Sequence, residues 1–453
     1  MKKSSCVLIV ALATFLLGGC ADKGSSAAPP SGFTATAADG RVKIDWTPNP
    51  SVEYWLFTAT DPSLTAFHFL GLPNAFIYTR AASPFYICGL FDGTTYYFAA
   101  NGRTGGGPGG SSSPTINAVP YNASAITWTA ASVPVAANLY GVGYTGLTTC
   151  RNIPLSATGS FAAVGAGGAI FTSVDGMSWI NQVSPVTTDL YAVTGYAAYQ
   201  NNPGNPALRW VAVGAGGASA YSQDGISWAV GSAYNLASPA LRSITQVSGT
   251  FFAVGDTGTI LSSTDGITWA SPTATSNTIN NLYGVTHGAI FVAVGDSGTI
   301  VTSVDGNTWT PRTIPAVGNL KQVTTFGSAY GSIYVAVGDA GAVVTSIDGG
   351  ITWITQTALT GSPSLVGVTA EYRAVNPATA VKDPSLNFIS VFQLVAVDSS
   401  GNAYTSQNGY DWSVIPPLGI CTTSTCTASL NALVSSGFGY VAAGNAGATA
   451  YAF

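Results

Sequence analysis

The chain repeats one pattern at intervals of about 40–50 residues, a period that belongs to architectures built from copies of a single supersecondary unit. The clearest copies run from Phe251 to Trp269 and from Phe291 to Trp309. Each unit opens with a strand that starts at a leucine: Leu139, Leu190, Leu241, Leu282, Leu320, Leu365 and Leu430. An apolar second strand follows, beginning at Phe161, Trp210, Phe251, Phe291, Tyr334, Leu394 and Tyr440. A Gly-bearing tight turn such as Gly255-Asp256-Thr257-Gly258 leads into a third strand. A Ser-x-Asp-Gly turn comes next, with Trp179, Trp228, Trp269, Trp309, Trp353 or Trp412 just beyond it. Short Val-, Ile- and aromatic-rich runs punctuated by Gly and Asp read as antiparallel strands joined by hairpins.

Four strands per unit make one blade of a β-propeller. The expected fold is therefore all-β, with a seven-bladed propeller over residues 121–453. The first two strands occur seven times, but the Ser-x-Asp-Gly turn with its Trp occurs six times, because the last unit stops at Phe453. The missing outer strand lies ahead of the first unit, at Ala125-Ile126-Thr127-Trp128. Its pairing with the last unit would close the ring and cover two sheet edges.

The turn resembles the Asp-box, or BNR, repeat Ser-x-Asp-x-Gly-x-Thr-Trp. Ser346 to Trp353 matches it in full, the other copies are one residue shorter, and the sixth has Asn408 in place of Asp. Sialidases, sortilin-type receptors and the photosystem II stability/assembly factor family share such repeats. The resemblance implies a fold rather than an activity. It also implies that Asp175, Asp224, Asp265, Asp305 and Asp348 are structural and lie away from the ligand face, consistent with Asp capping turns through nearby amides.

Residues 1–19 read as an export signal. Lys2 and Lys3 precede an apolar run, and Leu17-Gly18-Gly19-Cys20 resembles a bacterial lipobox. The resemblance implies cleavage before Cys20, a lipid on that residue and a place in the cell envelope; Ala21 after the Cys points to the outer membrane. Residues 20–30, rich in Ser, Ala and Pro, read as a flexible tether.

Residues 31–120 resemble a fibronectin type III domain. The residues that carry this are the alternating Val42-Lys43-Ile44-Asp45-Trp46, the strand Tyr54-Trp55-Leu56-Phe57, and Leu90-Phe91-Asp92-Gly93-Thr94-Thr95-Tyr96, which matches a tyrosine corner. The glycine-rich stretch 105–113 reads as a hairpin loop, because Thr115 to Val119 still supplies a last strand.

Only 7% of residues are charged and the net charge is −5, without a basic patch, which argues against nucleic acid as a partner. Of six cysteines, Cys6 leaves with the signal and Cys20 is the lipid site. Cys421 and Cys426 close a small loop and read as a disulfide in an oxidising compartment. Cys88 and Cys150 are left either to pair, clamping sandwich to propeller, or to stay reduced and buried.

Several motifs imitate chemistry. Gly295-Asp296-Ser297-Gly298 matches the surroundings of a serine-protease nucleophile, but equivalent turns replace the Ser with Thr257 and Ala340, and the only histidines are His68 and His287. Gly165-Ala166-Gly167-Gly168 lacks the helix that a phosphate cradle needs. Asp256, Asp296 and Asp339 occupy the turn between strands two and three in three successive units. They are the candidate arc for a cation or a basic segment, or else Asp placed for its turn chemistry. A sialidase reading has Arg151, Arg209, Arg242, Arg312 and Arg373 to draw on, but no identifiable pair of carboxyls across a cleft.

The sequence thus reads as a lipid-anchored, monomeric envelope protein that binds a protein or glycan without catalysis, with no metal and no cofactor. The alternatives are a sialidase-type glycoside hydrolase and an assembly factor for a membrane complex.

Overall fold

The computed structural model describes residues 24–452 except 39–40, 82, 89, 91–92, 121–127, 146–160, 199–206, 233–238, 272–275, 315–316, 329–330, 375–389, 416–428 and 437–438. Its elements are strands and short 3-10 turns. They gather into two compact units.

The first unit packs a three-stranded sheet, Thr34–Ala38, Arg41–Asp45 and Phe85–Cys88, on a five-stranded one. Val42, Ile44, Phe85 and Ile87 from the former meet Tyr54, Leu56, Tyr96 and Phe98 from the latter in one core, sealed by Trp46. The strand Tyr96–Thr104 pairs with Ile116–Ala118, so the glycine-rich stretch between them is a loop within the sheet. The segment expected to be a flexible tether is partly ordered: Ser25–Ala27 forms a further strand against Gly102, Arg103 and Thr104. The loop's glycines make room for it, since a Cβ on Gly110 would lie 1.8 Å from the Ala27 carbonyl oxygen.

The second unit is a β-propeller. Seven antiparallel sheets are formed among the described residues. The first holds Leu139–Tyr144, Phe161–Gly165, Ile170–Ser173 and Ile180–Asn181, in that order from the inside outward. The next five have inner strands Leu190–Ala198, Leu241–Val247, Leu282–His287, Leu320–Ser328 and Leu365–Ala374; four repeat this plan, and the sheet of Leu241–Val247 has three strands and a single outer bridge, Ser262 to Ala270.

Every second strand is buried on both faces, which is why it reads as a continuous apolar run. Its alternate side chains enter two different cores. Ala162 and Val164 pack with Leu190, Val193 and Trp210 of the following sheet. Phe161 and Ala163 pack with Val441 and Ala443 of the seventh. Each core cluster of the unit fills the space between two sheets in this way, and this last one joins the end of the chain to its beginning.

The seventh sheet is completed from the N-terminal side: Leu430–Ser435, Tyr440–Gly444 and Ala448–Ala452 are joined by Thr129–Ser132, with Tyr451 opposite Thr129. The outer strand therefore lies just past Ala125–Trp128, the segment expected to supply it. The reason is visible in the other sheets, where Trp309 and Trp353 turn inward and the ladder begins after them, at Thr310–Arg312 and Ile354–Thr355. Trp128 does the same. It is buried against Tyr440, with ring centroids 6.3 Å apart.

A Trp at a frayed chain end would contribute little, whereas one filling a core contributes about 3 kcal/mol or more. Trp128→Ala is expected to lower unfolding stability by about the same amount as Trp353→Ala, some 3 kcal/mol. Denaturant titration of the two variants side by side checks this; a Trp128 variant as stable as the parent would mean that the seventh sheet stands without its N-terminal strand.

Candidate functional site

The two kinds of Asp-bearing turn lie at opposite ends of the sheets and do different things. In the Ser-x-Asp-Gly turns the carboxylate is consumed locally. Asp265 Oδ1 accepts the amides of Ile267 and Thr268 at 2.8 and 2.7 Å and the Ser263 hydroxyl at 2.9 Å. The Ser263 hydroxyl oxygen in turn accepts the Gly266 amide at 2.8 Å. Asp175, Asp224, Asp305 and Asp348 repeat the arrangement. Asn408 does so with its amide oxygen, at 2.8 Å from the Tyr410 nitrogen and 2.9 Å from that of Asp411.

At the other end, the second strand turns back so tightly that a Cβ on Gly255 would lie 2.0 Å from the Ala240 carbonyl oxygen. That carbonyl instead accepts the Asp256 amide at 2.9 Å. The tight return displaces one residue from the inner-strand ladder: Leu241 pairs with Gly255 and Ser243 with Val254, so Arg242 is bulged out. The same shift bulges Tyr140, Tyr191, Tyr283, Lys321 and Asn431. Bulges of this kind re-aim side chains. Here they turn one residue per inner strand into a half-buried crescent at the mouth of the propeller.

Neighbours in the crescent touch. The rings of Tyr140 and Tyr191 are 5.6 Å apart. The Arg242 guanidinium lies 4.7 Å from the Tyr191 ring centre, and the Lys321 ammonium 4.6 Å from that of Tyr283. Asn431 Nδ2 donates to the Leu139 carbonyl and to Asn445 Oδ1, both at 2.8 Å. Val366 holds the corresponding place in the sixth sheet and packs onto the adjoining core.

Asp256, Asp296 and Asp339 do stand at this mouth, but not as an open acidic arc. Arg242 donates to both oxygens of Asp256, Nε at 2.8 Å and a terminal nitrogen at 2.9 Å, which holds the guanidinium even more firmly protonated than usual. Asp339 receives the Ser364 hydroxyl at 2.8 Å, Asn319 Nδ2 at 3.1 Å and Lys321 at 3.3 Å. Asp296 lies near the Tyr283 hydroxyl, whose acidity is lowered first by burial and then by the neighbouring carboxylate. Among the described residues no three His, Cys, Asp or Glu side chains come together to hold a metal ion. The bulged residues placed opposite the aspartates explain why the carboxylates do not converge on a cation. The sequence did carry a signal for them, the residue after each repeat-opening leucine.

Elsewhere the candidates disperse. Ser297 sits in a turn with φ of 51°, its amide donating to Asn319 Oδ1 at 2.9 Å. His287 pairs with Phe291 at the opposite end of the same hairpin, roughly 15 Å away by strand rise. Burial lowers its pKa. Arg312 bonds Thr302 on an outer strand and Arg209 approaches the Thr264 carbonyl, so neither joins Arg242. Cys20, Cys150, Arg151, Cys421 and Cys426 lie outside the described residues; Cys88 ends a strand of the first unit.

A DUF6242 beta propeller domain matches residues 208–317. No match is found among curated proteins. Among solved structures, YCF48 from Cyanidioschyzon merolae is 14% identical and aligns over 72% of this chain and 98% of its own, with a TM-score of 0.50. YCF48 bound to D1 peptide aligns at 16% identity over 73% and 98%, with a TM-score of 0.49. The WD40 beta propeller domain of Doa1 aligns at 10% identity over 72% and 97%, with a TM-score of 0.46. The first of these likenesses concerns the propeller fold alone.

The Ser-x-Asp-Gly carboxylates make stability depend on acid. Burial by itself raises the pKa of Asp175, Asp224, Asp265 and Asp348, yet the bonds donated to them outweigh it and hold all four below the ordinary carboxylate range. In Asp305 the Thr308 and Asn307 amides lead the lowering. Unfolded carboxyls take up protons near pH 4. A depressed folded-state pKa therefore gives stability that is complete above about pH 4 and lost as pH falls through the folded value. The urea midpoint should be level from about pH 7 to 5 and drop below about pH 4; a level midpoint down to pH 2 would contradict the carboxylate bonding. Asp175→Ala, which orphans the Met177 and Ser178 amides, should cost about 1 kcal/mol at neutral pH. Asp175→Asn should keep the fold, as Asn408 does.

Proposed function

We propose that this is a lipid-anchored, non-catalytic binding protein of the bacterial envelope, in which a fibronectin type III-like sandwich carries a seven-bladed propeller and the propeller mouth takes the ligand. One observation carries the reading. The inner-strand bulge recurs at one place in sheet after sheet and brings Asn431, Tyr140, Tyr191, Arg242, Tyr283 and Lys321 into one half-buried crescent. A stable sheet does not need these residues to be aromatic or charged, since Val366 serves in the sixth unit. Half-buried aromatics with a few placed polar groups are the composition of ligand sites.

The non-catalytic part rests on the state of the carboxylates. Glycoside hydrolysis uses one carboxyl as acid and a second as nucleophile or base. At this mouth Asp256 and Asp339 are bound to cations, held in place rather than presented to a scissile bond. An assembly factor would use the same mouth for a protein partner, so it differs from this proposal in the ligand and not in the site. The lipid anchor rests on Leu17-Gly18-Gly19-Cys20.

Two measurements test the reading. Full-length chain immobilised and exposed to solubilised envelope should capture its ligand, and Arg242→Gln should reduce capture about ten-fold by breaking the Tyr191–Arg242–Asp256 contact. Val304→Ser, at an exposed position of an Asp-box turn, should leave capture unchanged. Equal capture by both variants would move the site off the mouth. Separately, Cys20→Ala should shift the exported chain from the membrane pellet to the soluble fraction; retention in the pellet would remove the lipid anchor from the proposal.

A further inference from the structure

We infer that the Tyr140 end of the crescent is a subsite for a neutral saccharide, an inference that rests on the mouth being the ligand site. The crescent is uneven. Arg242 covers the face of Tyr191 and Lys321 that of Tyr283. Among the described residues no cation lies over Tyr140, which is half-buried with its ring centre 5.6 Å from that of Tyr191. Tyr140 is thus the aromatic platform of the row whose face is not already taken by a cation of the chain.

Hydrogen-bonding groups flank this platform on both sides. On one side Asn431 spends its Nδ2 on the Leu139 carbonyl and on Asn445 Oδ1. Asn431 Oδ1 and Asn445 Nδ2 make no hydrogen bond among the described residues, so the amide pair keeps one acceptor and one donor to offer. On the other side stand Asp189, whose carboxylate accepts the Gly167 amide at 2.8 Å, and, beyond Tyr191, the doubly bonded Arg242–Asp256 pair.

Charge selects the ligand class. Among the described residues five carboxylates, Asp189, Asp256, Asp296, Asp339 and the buried Asp398, stand at this end against two cations, and both cations and four of the carboxylates are already bonded. An anion would be repelled by that excess of carboxylates; a cation would find Asp256 and Asp339 already ion-paired and Asp189 and Asp398 taken by turn amides. Neither gains much from such a field. A hydroxyl both donates and accepts, so it satisfies an amide pair or an ion-pair edge without leaving a buried charge unmatched. A sugar ring presents that hydroxyl rim around a flat C–H face, which complements an amphipathic tyrosine.

The ring itself supplies the fold-neutral substitutions. Val366 holds the place of Tyr140 in the sixth unit, and Ala166 and Ala215 hold the place of Asn445 in the first two. Tyr140→Val and Asn445→Ala therefore introduce residues that this architecture already accepts at those positions.

The full chain is applied to an array of neutral hexose and N-acetylhexosamine oligosaccharides printed beside sialylated and sulfated glycans and proline-rich peptides, and the best neutral sugar is then titrated by calorimetry. Binding is expected to neutral sugars, about ten-fold weaker in Tyr140→Val and in Asn445→Ala, and within about two-fold of the parent in Val304→Ser, at an exposed turn on the opposite end of the sheets. Binding only to acidic glycans, only to proline-rich peptides or to nothing overturns the inference, and so does neutral-sugar binding that both variants retain. A blank sugar array with envelope capture still lost in Arg242→Gln rejects the saccharide and keeps the mouth; sugar binding and capture both indifferent to every mouth variant reject the two together.

Discussion

The closest backbone approach in the propeller organises the rest of it. At the end of the second strand, a Cβ on Gly165, Gly214, Gly255, Gly295, Gly338 or Gly444 would lie 1.8–2.0 Å from the carbonyl oxygen of the residue ahead of the inner-strand leucine. Only glycine fits there. The contact seats the turn on the inner strand and forces one residue out of the ladder. It thereby makes the leucine a core residue and its successor a mouth residue. Where the sixth unit has Asp398 instead, the carboxylate is buried and holds its own turn through the Ser400 and Asn402 amides and the Tyr404 hydroxyl. The mouth residue beside it is Val366, and the polar crescent is interrupted.

The same approach ties sheets to one another. The residue ahead of the leucine uses its carbonyl within its own sheet and its side chain on the turn of the preceding one. Asn281 accepts the Thr257 amide, Asn319 that of Ser297 and Asp189 that of Gly167. Asn138 accepts the Ala446 amide across 308 residues of sequence. Ring closure therefore uses the same interaction as the junctions of Asp189, Asn281 and Asn319, reinforced by Trp128 and the strand Thr129–Ser132.

Much of this was legible from spacing. The leucines, the apolar second strands, the Ser-x-Asp-Gly turns and the missing outer strand each report a local backbone requirement, and local requirements repeat as letters do. The turn chemistry of Asp265 and its counterparts was legible because Ser, Asp and Gly satisfy one another within four residues. The outer strand was placed a few residues early because Trp128 looks like a strand residue in sequence, yet spends its side chain on the core. The order at Ser25–Ala27 was hidden because its partner strand ends at Thr104, and pairing across such a distance leaves no periodic trace. The crescent was missed for a similar reason. Tyr140, Arg242 and Lys321 share no chemical type, only the place after a repeat-opening leucine, and that place reads as one more position of an alternating strand until the bulge is seen.

Sequence alone determined the all-β class, the repeat, the turn chemistry of the Ser-x-Asp-Gly carboxylates and the N-terminal source of the last strand, because each follows from contacts between residues close together in the chain or from counting copies. Tertiary structure decided what Asp256, Asp296 and Asp339 are. A carboxylate in a turn looks the same in sequence whether it faces water, a metal or a guanidinium. Its partner here comes from an inner strand, and in Asp339 also from the next sheet, and which side chain arrives there depends on how sheets pack around an axis that no stretch of sequence contains.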